Sequence, residues 1–110
     1  MADYLGSFEL MVLLAVLRLD EDKAYGVPIA NEIEQSTGHG VALASVYAVL
    51  ERLEDRGWVS SRVGESTAQR GGRAKRHFRV TTKGIRQVRE AKRVLVKMWM
   101  GIRELQGGTT

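Results

Sequence analysis

The chain has 110 residues, 44% of them apolar, no cysteine, and a formal net charge of +4. A chain this short makes one small domain whose modest core an oligomer would help to stabilise, and the missing cysteines exclude disulfides and thiolate metal sites while fitting a reducing cytoplasm. An N-terminus with Asp3 and Glu9 and no basic stretch lacks a signal-peptide pattern, and the apolar run 11–17 falls far short of the about 20 residues that cross a bilayer.

The first predicted helix runs from Ser7, taken as N-cap, to about Leu19, with Glu9 in its first turn. Its seven consecutive apolar residues, Met11 to Leu17, cover the whole circumference, so it is expected to be buried on more than one side. In a domain of this size one of those sides is available to another subunit. Asp20 to Lys23 is a polar connector. A second helix begins near Gly26, with Pro28 tolerated in its first turn, and ends near Gly38. Ile29, Ala30 and Ile33 form its inner face. Tyr25, just before it, fits either a phosphate contact beside free backbone N–H groups or a half-buried packing residue.

The third helix spans Ala44 to Gly57. Val46, Leu50 and Leu53 recur at helical spacing and face inward. The opposite face is small or polar, with Ala44, Ser45, Ala48 and Arg52, and Tyr47 on its flank. Arg56 and Gly57 close the helix as a last-turn cation and a terminal glycine. A helix with such a front can approach another surface closely. The N-cap is not assignable from the sequence.

Trp58 to Val63 reads as a strand, and Lys75 to Val80 as a second one with Phe78 and Val80 inward and His77 and Arg79 outward. Between them lies a small, polar, glycine-rich stretch that turns and protrudes. The segment 62–79 holds six basic residues against one acid, a local charge of +5 beside +4 for the whole chain. Clustered charge of this kind is the footprint of a phosphate-backbone binder, although an isolated charge run is more often a solvated loop. Helix, glycine and basic hairpin in this order predict a winged helix-turn-helix, in which the helix enters the major groove and the wing touches backbone or minor groove.

A fourth helix is predicted from about Lys83 to Leu105, with Thr82 as N-cap. Val88, Leu95 and Ile102 are seven apart, as are Ala91, Met98 and Leu105, which are a and d positions of a short heptad pattern. A helix of this length at the end of a small domain has few intramolecular partners for such a stripe, so dimerisation is expected. Arg86, Arg89, Lys92, Arg93 and Lys97 read as solvated charge. The fold class expected is thus mainly α with a small β-hairpin. Residues 1–81 form the winged-helix domain, 82–105 the dimerisation helix and 106–110 a disordered tail.

With these residues in place the chain resembles the PadR family of bacterial transcriptional regulators, in its short form with one C-terminal helix. The resemblance rests on Tyr25-Gly26, Ser45-Val46-Tyr47 with Leu50, Leu53 and Gly57, Gly71-Gly72-Arg73, and Lys75 to Thr81 followed by Gly84. His77, Phe78 and Val80 stand where the family usually has two tyrosines and a leucine, which removes two hydroxyls. The resemblance implies a homodimer joined by helix four with help from helix one. The residues expected at that interface are Leu13, Val88, Leu95, Met98, Trp99 and Ile102. It also implies a transcriptional role, commonly repression relieved by a small molecule.

The expected partner is double-stranded DNA, bound as a palindromic operator by two copies of helix three. Ala44, Ser45 and Ala48 are expected to approach the bases, Tyr47, Arg52 and Tyr25 to contact phosphates, with a core-edge aromatic as the other reading of Tyr47, and Arg73, Lys75 and Arg76 to supply the salt-dependent part of affinity. Met98 and Trp99 fit two readings, interface packing or the wall of a site for a small planar aromatic effector; packing is the commoner use of such residues. His39 and His77 lack any metal-ligand spacing, and no phosphate loop precedes a helix. No metal, cofactor, enzymatic activity or membrane association is therefore expected. The acids Glu51, Glu54 and Asp55 on helix three keep a rival open, a winged-helix module for a protein or RNA partner.

Overall fold

The computed structural model describes residues 5–64 and 75–106. Four helices and a two-stranded antiparallel hairpin follow in the order α1 (Ser7–Arg18), α2 (Gly26–Thr37), α3 (Leu43–Asp55), β1 (Val59–Val63), β2 (Arg76–Val80) and α4 (Thr82–Trp99). Single 3-10 turns lie at Glu21–Lys23 and Arg103–Leu105. In the hairpin Val59 stands opposite Val80, Ser61 opposite Phe78, and Val63 opposite Arg76. β2 gains one further backbone bond on its other side, from Phe78 N–H to the Ala24 carbonyl at 2.8 Å.

The apolar spacing of the sequence accounts for the core. Val12, Leu13, Ala15 and Val16 of α1, Ile29 and Ile33 of α2, and Val46, Val49, Leu50 and Leu53 of α3 converge on Trp58, Val59, Phe78 and Val80. Leu13, Ile29, Leu50 and Leu53 are among the largest fully buried side chains. Burial of this kind is worth about 1.5–3 kcal/mol for each large aliphatic side chain. Phe78 and Val80 point inward and Arg79 outward, as the alternation predicts. No buried side-chain polar atom among the described residues lacks a partner.

Helix ends differ from expectation in instructive ways. The N-cap of α1 is Gly6, not Ser7, and the Glu9 carboxylate turns back to accept its N–H at 3.0 Å. The N-cap of α4 is Thr81, not Thr82. Its hydroxyl accepts from Gly84 N–H at 3.0 Å and donates to the Gly57 carbonyl at 2.7 Å. That pair of bonds pins the start of α4 to the end of α3, where Gly57 adopts φ +78°. Gly84 is buried against the Trp58 carbonyl so closely that a Cβ there would fall on it.

Two expectations about the apolar surface require correction. Leu13, expected at a subunit interface, is fully enclosed in this chain's own core, where α1 packs against α2, α3, β2 and α4. Leu14 and Leu17 carry the exposed remainder of α1. The last helix stops at Trp99, short of Leu105, since Met100 is extended and Gly101 takes φ +83°. The third heptad repeat, Ile102 and Leu105, therefore lies beyond the helix. Among the described residues no helix is long and apolar enough to cross a membrane.

Candidate nucleic-acid interface

α3 presents two unlike faces because its apolar residues recur at three and four positions. Val46, Val49, Leu50 and Leu53 are buried, while Ala44, Ser45, Ala48 and Arg52 are exposed and Tyr47 is 40% exposed. The N-cap of α3 is Ala42, which has no side chain to close the first turn, so no side-chain cap covers the backbone donors at that end. The outer face is graded along its length. Its N-terminal half is small and neutral, and its C-terminal half carries the exposed acids Glu51 and Asp55. Glu51 lies four residues after Tyr47 and three after Ala48, hence on the same face.

Tyr47 owes its position to Gly26, the first residue of α2. A Cβ on Gly26 would fall on the Tyr47 phenol ring, so only glycine lets the tyrosine lie across the start of α2. The phenol thus packs on its inner side and stays open on the outer. Sequence reading singled out both residues without joining them, because they are brought together only when α2 and α3 pack.

The base of the wing is built around Tyr25. The Lys75 ammonium donates to the Tyr25 hydroxyl at 3.1 Å and lies 4.3 Å from the ring centroid. The His77 ring meets Tyr25 edge-on, with centroids 5.3 Å apart. His77, expected to face solvent, is half-buried instead, and its ring nitrogens lie 3.0 Å from the Asp22 carbonyl and 3.2 Å from the Lys75 carbonyl. Tyr25 is thus clasped by Lys75 and His77 beside the turn before α2.

The cations expected to hold phosphates are engaged to different degrees. Arg76 forms an ion pair with Glu54, donates to the Ser61 hydroxyl at 3.0 Å, and stacks 5.2 Å from the Phe78 ring centroid. Ser61 in turn donates to Glu54 at 2.6 Å. Glu54 is thus not a stray acid near DNA but the knot that ties α3 to both strands. Arg52 leans toward Glu9 at 3.6 Å, with Arg56 at 4.0 Å from the same carboxylate. Arg73, Arg70 and the Gly71-Gly72 pair lie outside the described residues.

On the far side of the molecule Arg18 pairs with Glu32 at 2.8 Å, and Ser36 donates to the same carboxylate at 2.9 Å. The Arg18 guanidinium, helped by the Ser36 hydroxyl, holds the Glu32 carboxyl below its ordinary value. The groove above them, between α1 and α2, is lined by Met11, Leu14, Leu17 and Ile33 with a volume of about 290 Å³. Of the residues expected at a dimer interface, Val88 packs partly on this chain's core, while Leu95, Met98 (72% exposed) and Trp99 (61% exposed) stand on the outer part of α4.

The fold has many solved likenesses. A PadR-like transcriptional regulator from Bacillus cereus superimposes with a TM-score of 0.70 at 19% identity, over 94% of each chain. A transcriptional regulator from Clostridium thermocellum gives 0.68 at 22% identity, over 82% of this chain and 83% of the other. A PadR family regulator from Eggerthella lenta gives 0.68 at 22% identity, over 86% and 80%. Comparison with curated proteins gives no match. The family description "Transcriptional regulator PadR-like family" matches residues 13–90, which take in the second half of α1, the helix-turn-helix, the hairpin and the first half of α4. The chain belongs to the PadR-like family of transcriptional regulators, a family of regulators and not of enzymes.

Proposed function

We propose that the protein is a sequence-specific DNA-binding regulator that acts as a homodimer on a palindromic operator, as a repressor released by a small ligand. The observation that carries the DNA-binding part is the N-terminal half of α3. Ala44, Ser45 and Ala48 are exposed, small, and put to no use inside the chain, at a helix end whose donors no side chain caps. Residues of this size let a helix sit deep in a major groove, where Ser45 can bond a base edge and alanine methyls can meet thymine methyls. Tyr47 at the flank and Lys75 at the wing base stand where phosphates would run past, with Arg73 expected beside them.

The dimer part is supported by Leu95, Met98 and Trp99, an apolar patch on one helix that this chain's own core does not reach. A planar aromatic effector lodged against Met98 and Trp99 would act by changing how the two copies of α3 are spaced. Such a regulator works in the cytoplasm, where its operator is.

The deciding experiment is binding to duplex DNA from the gene's own upstream region, at low and moderate salt, against random duplex. Salt-sensitive binding with preference for the upstream duplex supports the regulator. A second reading, a winged-helix module for a protein or RNA partner, is favoured by Glu51 and Asp55 on the outer face of α3. Failure to bind any duplex, together with capture of a partner through that face, would establish it instead.

A further inference from the structure

We infer that the outward cation ladder of α4 is a second phosphate-backbone contact, separate from the wing and the recognition helix, that grips duplex DNA without reading its sequence. The inference rests on the DNA-binding reading above. α4 carries six basic residues against one acid over Thr82–Trp99, a charge of +5. The segment 62–79 that announced DNA binding has the same excess, so the rest of the chain nets −6.

What sets α4 apart is that most of its cations, like Arg62 in the hairpin, have no acid within 4.0 Å among the described residues, and that here they stand together on one helix. In the body, Arg18, Arg52, Arg56, Arg76 and Arg79 each lie within 4.0 Å of a carboxylate on another element. On α4 only Arg93 has such a partner, Glu90 at 2.6 Å in the same helix, and Glu90 holds the guanidinium's pKa above its ordinary value. Arg86, Arg89, Lys92 and Lys97 are exposed and pair with no acid among the described residues. They are also one another's neighbours. Arg86 and Arg89, and Arg89 and Lys92, are three apart; Arg89 and Arg93, and Arg93 and Lys97, are four apart. Like charges at these spacings destabilise a helix, and among the described residues only Glu90, through Arg93, offsets them.

A polyanion would. At 100° per residue, Arg86, Arg89, Arg93 and Lys97 share one side and point away from Ala91 and Met98, so a dimer closed on that apolar side leaves them uncovered, whereas Lys92, seven residues before Trp99, flanks the seam. From Arg86 to Lys97 the helix advances roughly 16 Å, the rise of about five phosphates along one DNA strand. The ladder thus matches a nucleic-acid backbone in charge sign, and its length runs past several phosphates of one strand. The apolar residues within the ladder are Val96 and Met100, too few to seat the helix in lipid.

The test uses the full chain with Arg86→Ala, Arg89→Ala and Lys97→Ala together, since alanine preserves helix propensity. Circular dichroism and sedimentation first show that fold and oligomeric state are kept; a variant that fails this is replaced by R89A/K97A. The expected result is a loss of affinity on the order of tenfold to a hundredfold, equal for upstream and random duplex. The slope of log K against log salt falls by up to about 2.7 per protomer, at 0.9 for each phosphate released. Because a distant field also lowers affinity, acetylation supplies a local readout: duplex DNA should shield the Lys97 amine, and K97R should bind as the parent does. An unchanged salt slope with an unshielded Lys97 amine, while the parent still prefers its upstream duplex, overturns the ladder and leaves the regulator standing. Shielding by phosphatidylglycerol vesicles but not by DNA overturns it in favour of a membrane surface. A parent protein that binds no duplex overturns both readings at once.

Discussion

α3 and α4 are both amphipathic helices, yet they dispose of their two faces in opposite ways. α3 buries its whole apolar side, with Val46, Val49, Leu50 and Leu53 inside, and neutralises Glu54 against Arg76. What it leaves outside is small along its N-terminal half and charged toward its C-terminus, with Tyr47 on the flank. α4 buries only Gly84, with Ile85 and Val88 packed partly on the core, and leaves outside both an apolar patch and a row of cations of which only Arg93 has an acid partner among the described residues. A helix whose residues are all explained by its own chain is a scaffold with one prepared face. A helix carrying apolar area and charge that its own chain does not explain is made for contacts the monomer lacks.

The sharpest way to break this comparison is to truncate one apolar residue on each helix. Leu50→Ala should cost about 2–5 kcal/mol of stability in denaturant unfolding, through lost burial and the cavity left behind. Leu95→Ala should cost little within the protomer and should instead weaken self-association in sedimentation. Equal effects on protomer stability would mean that α4 has intramolecular partners after all. Gly84→Ala comes next, at about 1–3 kcal/mol, because the new Cβ meets the Trp58 backbone carbonyl, which cannot swing aside. A thermal scan that shows no change would remove the tight seating of α4 on the end of α3.

Ala48→Glu tests the prepared face of α3. The site is exposed, so unfolding should be unaltered, while operator affinity drops by about 1–3 kcal/mol through repulsion in the groove. Retained affinity in a gel shift would turn α3 away from DNA. Glu54→Gln should cost only about 0.5–1 kcal/mol in urea unfolding, since the pair with Arg76 is partly solvated. A larger loss would show that the α3–hairpin knot is worth more than its exposure suggests.

The smallest effect concerns Glu32. Its carboxyl lies below its ordinary value in the folded chain, so the associated stability is present above the usual carboxylate pKa. It fades as pH falls through the depressed folded value. Glu32→Gln should therefore lower thermal stability slightly at neutral pH and flatten its loss in acid. A variant with an unchanged acid profile would show that the Arg18 pair contributes nothing measurable.

The local pattern determined a good deal. Apolar spacing alone located α1, α2, α3 and the hairpin, placed Val46, Leu50, Leu53, Phe78 and Val80 in the core, and put Ala44, Ser45 and Ala48 on a free face. Periodicity reports such things because it records which residues share a side. It does not report which side meets another element. Leu13 and Leu14 are indistinguishable in an all-apolar run, and only the packing of α1 on α2 and α3 decided that the first is enclosed and the second exposed. The heptad spacing ran on past Trp99, but Gly101 in a left-handed conformation ended the helix before the third repeat. The contacts that shape the candidate site join residues distant in sequence: Gly26 under Tyr47, Lys75 and His77 on Tyr25, Arg76 on Glu54. Ion pairing is likewise a tertiary fact. Charge counting found the basic segment 62–79, whereas the absence of acid partners around most α4 cations emerged only once Arg18, Arg52, Arg56, Arg76 and Arg79 had each found an acid among the described residues, because a charge is free or spent according to what the fold sets within a few ångströms of it.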